Sequence, residues 1–327
     1  MNVLHKSYRY YYSILNDSQK KTYELIYKGV CSYRDSIKIQ LLHPNELELV
    51  HEAILLDNPE IFYFEAYQYL KDLNKKTIII KPDYKYSHND ISYHQKNIAN
   101  FMTFINSIKD KSEYEKIIYV HDYILDNITY DFHNDAYSVL GIINHNTGVC
   151  EGIAKFVKFT LDHLLLKSIV TTGHAVNPAF EQEKSENHAW NMVVLNGNWY
   201  HFDVTFDLTL KHKKNRYDYF LVRDCELKRS HSMGNRQPES TSMINDYYYI
   251  NDLVVENIIG LGRVIYENIN KGNQIFQIKL VNVPDGFDPT EKVMQEAEVQ
   301  CQRFFNSYSI NVRYNNALWI YEIEIKS

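Results

Sequence analysis

The sequence predicts an α+β protein, and three observations lead there. Apolar residues recur at three- and four-residue steps in several segments, as the buried stripe of a helix requires. Between them lie short alternating or wholly apolar runs bounded by turn residues, as strands are. Asn196-Gly197 joins two such runs. Both residues tolerate positive φ, so this is the preferred turn of an antiparallel hairpin. The 327 residues are 45% hydrophobic and 23% charged, without repeats or low-complexity segments. That is an ordinary globular composition, enough for one large core or roughly two or three smaller units.

Taken in order, Asp17 or Ser18 caps a helix over 17–34, with Tyr23, Ile26, Tyr27 and Val30 as its stripe. Ser36–Leu41 alternates like a strand, and Pro44 opens a helix to about Leu56. Ile61–Leu70 and Thr77–Lys81 read as extended segments around an Asn74-Lys-Lys turn, with Pro82 limiting the second. Asn97–Ile108 and Glu113–Asn127 have helical stripes. His121 lies within the second stripe and is expected in the core rather than in the chemistry. Residues 126–147 are polar and irregular. Ile153, Phe156, Val157, Thr160, Leu161 and Leu164 then mark a core helix that starts near Cys150. Lys167–Gly173 is a short buried strand, 175–187 a polar loop, and the Asn196-Gly197 hairpin follows. Tyr217–Val222 is a strand, and 230–246, rich in Ser, Asn, Gly and Pro, is the best linker candidate. Helices over about 252–269 and 289–305, a strand over 274–283 and a pair flanking Asn315-Asn316 complete the chain. The expected units are an N-terminal α+β unit (1–108), a central core (109–235) and a C-terminal α/β unit (236–327).

Composition removes several classes of function. A net charge of −6 offers no basic stripe for nucleic acid. The N-terminal residues lack the apolar region of a secretory signal, and no run approaches a membrane span. The four cysteines, Cys31, Cys150, Cys225 and Cys301, are scattered without a CxxC pair, which disfavours zinc ribbons and disulfide frameworks. A cytoplasmic protein without cofactor or metal, and without membrane or nucleic-acid partners, is expected. The 28 tyrosines read as coding bias before they read as a ligand signal.

Three residues carry chemistry. Cys150 falls at the first turn of its helix, where free N–H groups and the helix dipole favour an anion such as a thiolate. If Asn196-Gly197 is a two-residue loop, Leu195 pairs with Asn198 and Trp190 lies opposite Asp203. His188 and Asp203 then share a face as diagonal neighbours roughly 7–8 Å apart at Cα, within reach of each other's side chains. Nucleophile, base and orienting carboxylate are the parts of thiol acyl transfer, and backbone N–H groups at the helix start would serve as an oxyanion hole.

The segments Gly148-Val-Cys-Glu-Gly152, His188-Ala-Trp-Asn191 and Trp199-Tyr-His-Phe-Asp-Val-Thr205 resemble the transglutaminase-like superfamily of papain-related folds. His121-Asp-Tyr, Ile128-Thr-Tyr-Asp131, Tyr219-Phe-Leu and Ser230-His231 extend the resemblance, toward bacterial members, over roughly 113–232. It implies a Cys-bearing helix packed on an antiparallel sheet that carries the His and the Asp, with Cys150, His188 and Asp203 as the triad. Ile153 and Phe206 depart from an aromatic residue and a Trp in many bacterial relatives. No acidic cluster resembles the calcium sites of animal transglutaminases, and the CxxC pairs of peptide glycanases are absent.

The expected function is thiol-dependent acyl transfer on a protein or peptide through a thioester: proteolysis, deamidation or cross-linking. Hydrolysis is favoured, because water needs no second binding site. Trp190 and Glu151 are candidate substrate contacts, with a core aromatic and a helix-start residue as their plainer roles. The alternative is a non-catalytic interaction module on the same scaffold, with the flanking units as recognition surfaces.

Overall fold

A computed structural model describes residues 8–179, 184–234, 236–284 and 286–327. The first part of the chain forms α1 (Tyr10–Ser13), α2 (Asp17–Cys31), β1 (Ile37–Gln40), α3 (Pro44–Asp57), β2 (Phe64–Asp72), β3 (Thr77–Tyr84) and α4 (His88–Ile105). Asn16 caps α2 in a reciprocal box with Gln19, and Pro44 stands in the first turn of α3. The helix expected from residue 97 starts at His88, because Ser87 caps it there and accepts from the Asp90 N–H. Its first turns are largely solvated, so they show no apolar stripe. Pro82 does not end its strand: β3 runs through it to Tyr84, with Pro82 opposite Tyr67 of β2. Pairing with β1 has already stopped at Ile80, so the missing N–H costs no ladder bond on that side.

The middle part contains α5 (Glu113–Asn127), β4 (Thr129–Tyr130), α6 (Val139–His145), β5 (Thr147–Gly148), α7 (Cys150–His163), β6 (Ser168–Ala175), β7 (Glu186–Leu195), β8 (Asn198–Phe202), α8 (Val204–Leu210), β9 (Phe220–Val222), α9 (Asp224–Leu227) and β10 (His231–Met233). A five-stranded sheet in the order β10-β6-β7-β8-β9 forms its centre, and every neighbouring pair in it is antiparallel. The hairpin register is the expected one: Leu195 pairs with Asn198 across Asn196 and Gly197, whose φ values are 51° and 80°. Helix α7 lies on this sheet. Asn191 of β7 ties the two together, donating its amide to the Ala154 carbonyl at 2.9 Å and to that of Ile169 at 3.1 Å.

Two expectations are corrected here. The irregular stretch 126–147 contains α6 and the short parallel pair β4–β5. The linker proposed over 230–246 opens as β10, an edge strand on β6, with His231 opposite Ala175. Gly173 permits that approach, since a Cβ there would overlap the Ser232 carbonyl oxygen.

The C-terminal part adds α10 (Tyr247–Ile250), β11 (Val254–Val255), α11 (Leu261–Asn270), β12 (Ile275–Leu280), α12 (Thr290–Phe304), β13 (Ser309–Asn315) and β14 (Ile320–Lys326). The helix expected from 252 begins only at Leu261, after β11 and a 3-10 turn over Ile258–Gly260. One hydrophobic core runs from Tyr11 to Leu221, so the N-terminal elements and the central sheet are packed together. A second fills the C-terminal sheet, and a third joins Trp190, Phe206 and Tyr219 to Tyr248, Leu318 and Ile320. Charges reinforce this junction. Lys279 pairs with Glu226 at 2.7 Å and with Asp246 at 2.6 Å, all three buried. No helix among the described residues is long and apolar enough to cross a membrane.

Candidate active site

Cys150 is the first residue of α7, and no side chain caps the helix at Val149. The N–H groups of the first turn and the positive end of the helix dipole therefore stand beside the thiol. The segment before it is held by the parallel pairing of Tyr130 with Gly148. Residues 135–138 lie against the helix start. A Cβ at Gly152 would overlap the Ala136 carbonyl oxygen, so only glycine fits. The buried face of α7 is wider than its stripe predicted. Lys158 and Asp162 are also buried, paired at 2.9 Å, and the Lys158 ammonium also donates to the Tyr8 and Ser168 carbonyls.

His188 sits on β7 opposite Gly173 of β6. Its Nε2 donates to Asp203 Oδ2 at 2.7 Å, inside the protein. The second ring nitrogen is left for Cys150. Burial opposes a charge on His188, but Asp203 first, then Cys150 through a hydrogen bond and its charge, outweigh it and push the imidazole up to about 10. Asp203 is likewise buried, yet His188 and His231 hold its carboxyl far below the usual carboxylate range. The hairpin count puts Asp203 on a strand, which its propensity disfavours. β8 in fact ends at Phe202, and Asp203 is the N-cap of α8, its Oδ1 accepting the Phe206 N–H at 3.2 Å. That is a position aspartate favours.

Two residues beside Cys150 or Asp203 were not foreseen as site residues. Tyr130 approaches Cys150. Burial first, then the Cys150 charge and a hydrogen bond with its side chain, push its phenol up to about 12, against a hydrogen bond with the Cys150 backbone that works the other way. The upstream motif contained Tyr130, but only the β4–β5 pairing shows where it goes. His231, in the supposed linker, reaches Asp203 Oδ2 at 3.0 Å through Nε2. Trp190 is buried and packs face to face with the His188 ring at 5.9 Å between centroids, its Nε1 donating to His201 at 3.1 Å. It supports the imidazole from inside the core and does not line the cavity. Glu151 pairs with Lys155 at 2.6 Å and also lies outside the cavity lining. His121 is a core residue as expected, held between Asp122 at 3.0 Å and Asp207 at 3.1 Å.

The thiol and imidazole open into a cavity of about 730 Å³, walled by Tyr130, Asn177, Asn187, Thr205, Phe206 and Thr209 among others. Among the described residues, one cluster has donors close enough for a metal: His188, Asp203 and His231. Its contacts of 2.7 and 3.0 Å are hydrogen-bond lengths. Ligands of a tetrahedral zinc at ~2.0–2.1 Å would stand about 3.3 Å apart. As placed, the three groups satisfy one another rather than an ion.

A cysteine-bearing helix packed on an antiparallel sheet fits the α+β fold of the papain and transglutaminase class. Residues 103–204 match the family model of the transglutaminase-like superfamily. Two solved structures are similar at low identity. One is a "putative cysteine protease" from Cytophaga hutchinsonii, 16% identical with a TM-score of 0.28, the match covering 43% of this chain and 62% of that one. The other is a TGase, 19% identical with a TM-score of 0.30, covering 56% of this chain and 54% of that one. The chain therefore spans less than two thirds of either structure's length. No curated protein matches the sequence.

Proposed function

We propose that the protein carries out thiol-dependent acyl transfer on a protein or peptide, with Cys150 as nucleophile, His188 as base and acid, and Asp203 as the orienting carboxylate. The observation that carries this reading is the buried 2.7 Å contact between His188 Nε2 and Asp203, which leaves the other ring nitrogen to Cys150 at the helix start. Asp203 only accepts, so His188 must hold a proton on Nε2. Its free nitrogen takes the thiol proton, giving a thiolate–imidazolium pair. The sulfur attacks the carbonyl carbon, and the tetrahedral oxyanion forms beside the N–H groups of the first turn of α7. Imidazolium then returns the proton to the leaving nitrogen, and the acyl group remains as a thioester. Water activated by His188 releases an acid, and an amine in its place gives a cross-link. Hydrolysis is the favoured outcome, because it needs no second occupant of the cavity.

The test is Cys150 alkylation by iodoacetamide from pH 5 to 9, read by peptide mass spectrometry at all four cysteines, followed by turnover with acyl substrates. Fast labelling of Cys150 near pH 6 that disappears in His188→Ala supports the reading. Labelling of Cys150 no faster than exposed Cys225 sinks it and leaves an interaction module on the same scaffold.

A further inference from the structure

We propose that His231 is a positioning residue of this triad: its Nε2–H fixes the Asp203 carboxylate oxygen on which His188 turns. The proposal rests on the reading of Cys150, His188 and Asp203 given above. His231 comes from β10, outside the matched segment 103–204, and its side chain is fully buried. Both imidazoles converge on one oxygen: Asp203 Oδ2 lies 2.7 Å from His188 Nε2 and 3.0 Å from His231 Nε2. The other oxygen, Oδ1, accepts the Phe206 N–H. Three donors thus hold the carboxylate, and only the two imidazoles fix the position of Oδ2.

The direction of the protons follows from the charge of Asp203. A carboxylate accepts only, so His231 carries its proton on Nε2. The groups around His231 are Asp203 at the head of α8, His188 on β7, His201 on β8 and Tyr219 just before β9. Burial first, with His188 and His201, lowers the basicity of His231 against the pull of Asp203, which favours a neutral ring that carries its proton on Nε2 and leaves Nδ1 bare. A bare Nδ1 accepts the Ser230 hydroxyl at 2.9 Å, a shorter contact than the 3.4 Å from that hydroxyl to the Leu227 carbonyl, and Ser230 Oγ in turn accepts the Tyr219 hydroxyl at 3.0 Å. Tyr219 is buried and its phenol is pushed far above the ordinary value, first by burial, so it keeps its proton. The chain Tyr219–Ser230–His231–Asp203–His188 runs in one direction and locks one tautomer of each histidine. A residue that merely filled space here would need none of these polar contacts.

The test uses the full chain and the ratio of Cys150 alkylation rates at pH 6 and pH 9, in which differences in accessibility cancel. His231→Leu fills the volume without a donor, and His231→Gln restores an N–H near the Nε2 position. The ratio is expected to fall roughly tenfold in His231→Leu, as loss of an orienting outer partner does elsewhere, and to return to within about twofold of wild type in His231→Gln. A wild-type ratio in His231→Leu, where His188→Ala does reduce it, overturns the proposal alone. A ratio insensitive to His188→Ala overturns the triad reading and this proposal with it. Equal losses in His231→Leu and His231→Gln also overturn it, since the donor is then not what matters. Nitrogen chemical shifts of His231 in the wild-type protein decide independently of any variant's folding. Protonated Nε2 with bare Nδ1 supports the proposal, and the opposite tautomer overturns it.

Discussion

Replacing Asp203 by Asn probes the site with almost no change of shape. The substituted side chain would keep one acceptor oxygen. If that oxygen faces the two imidazoles, the new NH₂ meets the Phe206 N–H; if it faces Phe206, the NH₂ meets two N–H groups. In the second arrangement His188 escapes only by moving its proton to the nitrogen that faces Cys150, where it can no longer act as base. The size of the effect follows from the imidazole. His188 is pushed from an ordinary 6.5 up to about 10, after burial has worked against it. At about 1.4 kcal/mol per unit this is roughly 5 kcal/mol in favour of imidazolium. Asp203 leads the groups responsible. Losing between half and all of it lowers the ratio of the thiolate–imidazolium pair to the neutral thiol–imidazole pair, on which alkylation depends, by roughly 50-fold to 3,000-fold. The assay is the alkylation rate of Cys150 at pH 6 in wild-type and Asp203→Asn protein, with circular dichroism to confirm folding. A variant that reacts within about threefold of wild type would refute the assignment of Asp203, since that is only about 0.7 kcal/mol.

Three further outcomes are expected. Because His188 binds its proton more tightly in the folded protein, its contribution to stability is full below about pH 6.5 and lost as pH rises toward about 10. Urea midpoints should therefore fall across that window in wild type and less steeply in His188→Gln; parallel profiles would exclude the buried pair. Gly152→Ala places a methyl against the Ala136 carbonyl and should cost roughly 1–3 kcal/mol, or prevent folding. Thermal denaturation reads it, and an unchanged melting temperature would mean that residues 135–138 do not lie on the helix start. Lys279→Met strands the Glu226 and Asp246 carboxylates in the interior and should destabilise by roughly 3–5 kcal/mol in urea titration. A change below about 1 kcal/mol, the range of a solvated pair, would show that the junction is hydrated.

The pairing of His188 with Asp203 was legible for a local reason. Asn196-Gly197 sets the register of β7 and β8 by backbone conformation alone, so facing residues could be counted from the turn. The count goes wrong only at its end, where Asp203 leaves the strand to cap a helix too short to show a period. Cys150 was legible because α7 is a long helix with a wide apolar face. What escaped is what non-local pairing creates. His231 follows a Ser in a polar stretch and reads as a linker; only its pairing with β6 carries it to Asp203. Tyr130 stands in a two-residue strand whose partner, β5, has no hydrophobic signature. Lys158, Arg216 and Lys279 carry no sign of burial in the sequence, because their partners are distant in sequence or hidden with them.

The same contacts bear on why so much chain surrounds so small a site. The imidazole of His188 rests on Trp190 and Phe206, with ring centroids 5.9 and 4.6 Å away. Those rings belong to a cluster closed from below by Tyr248, Leu318 and Ile320 of the C-terminal part. His201 fixes the Trp190 indole and is itself held by Asp224 at 2.8 Å, immediately before the buried Lys279–Glu226 pair. On the opposite side, the Tyr11 hydroxyl donates to the Val170 carbonyl of β6 at 2.8 Å, and Lys158 gathers the Tyr8 carbonyl onto α7. The helix that bears the thiol is thus anchored to the N-terminal elements, and the strands that bear the histidines to the C-terminal ones. Thiol and base come from different elements, so their separation is fixed only while both sets of contacts hold. A displacement of about 1 Å between reacting groups can cost roughly a hundredfold in rate. On the proposed reading of the triad, the flanking parts would therefore contribute to the chemistry through rigidity, whatever surfaces they present to a substrate.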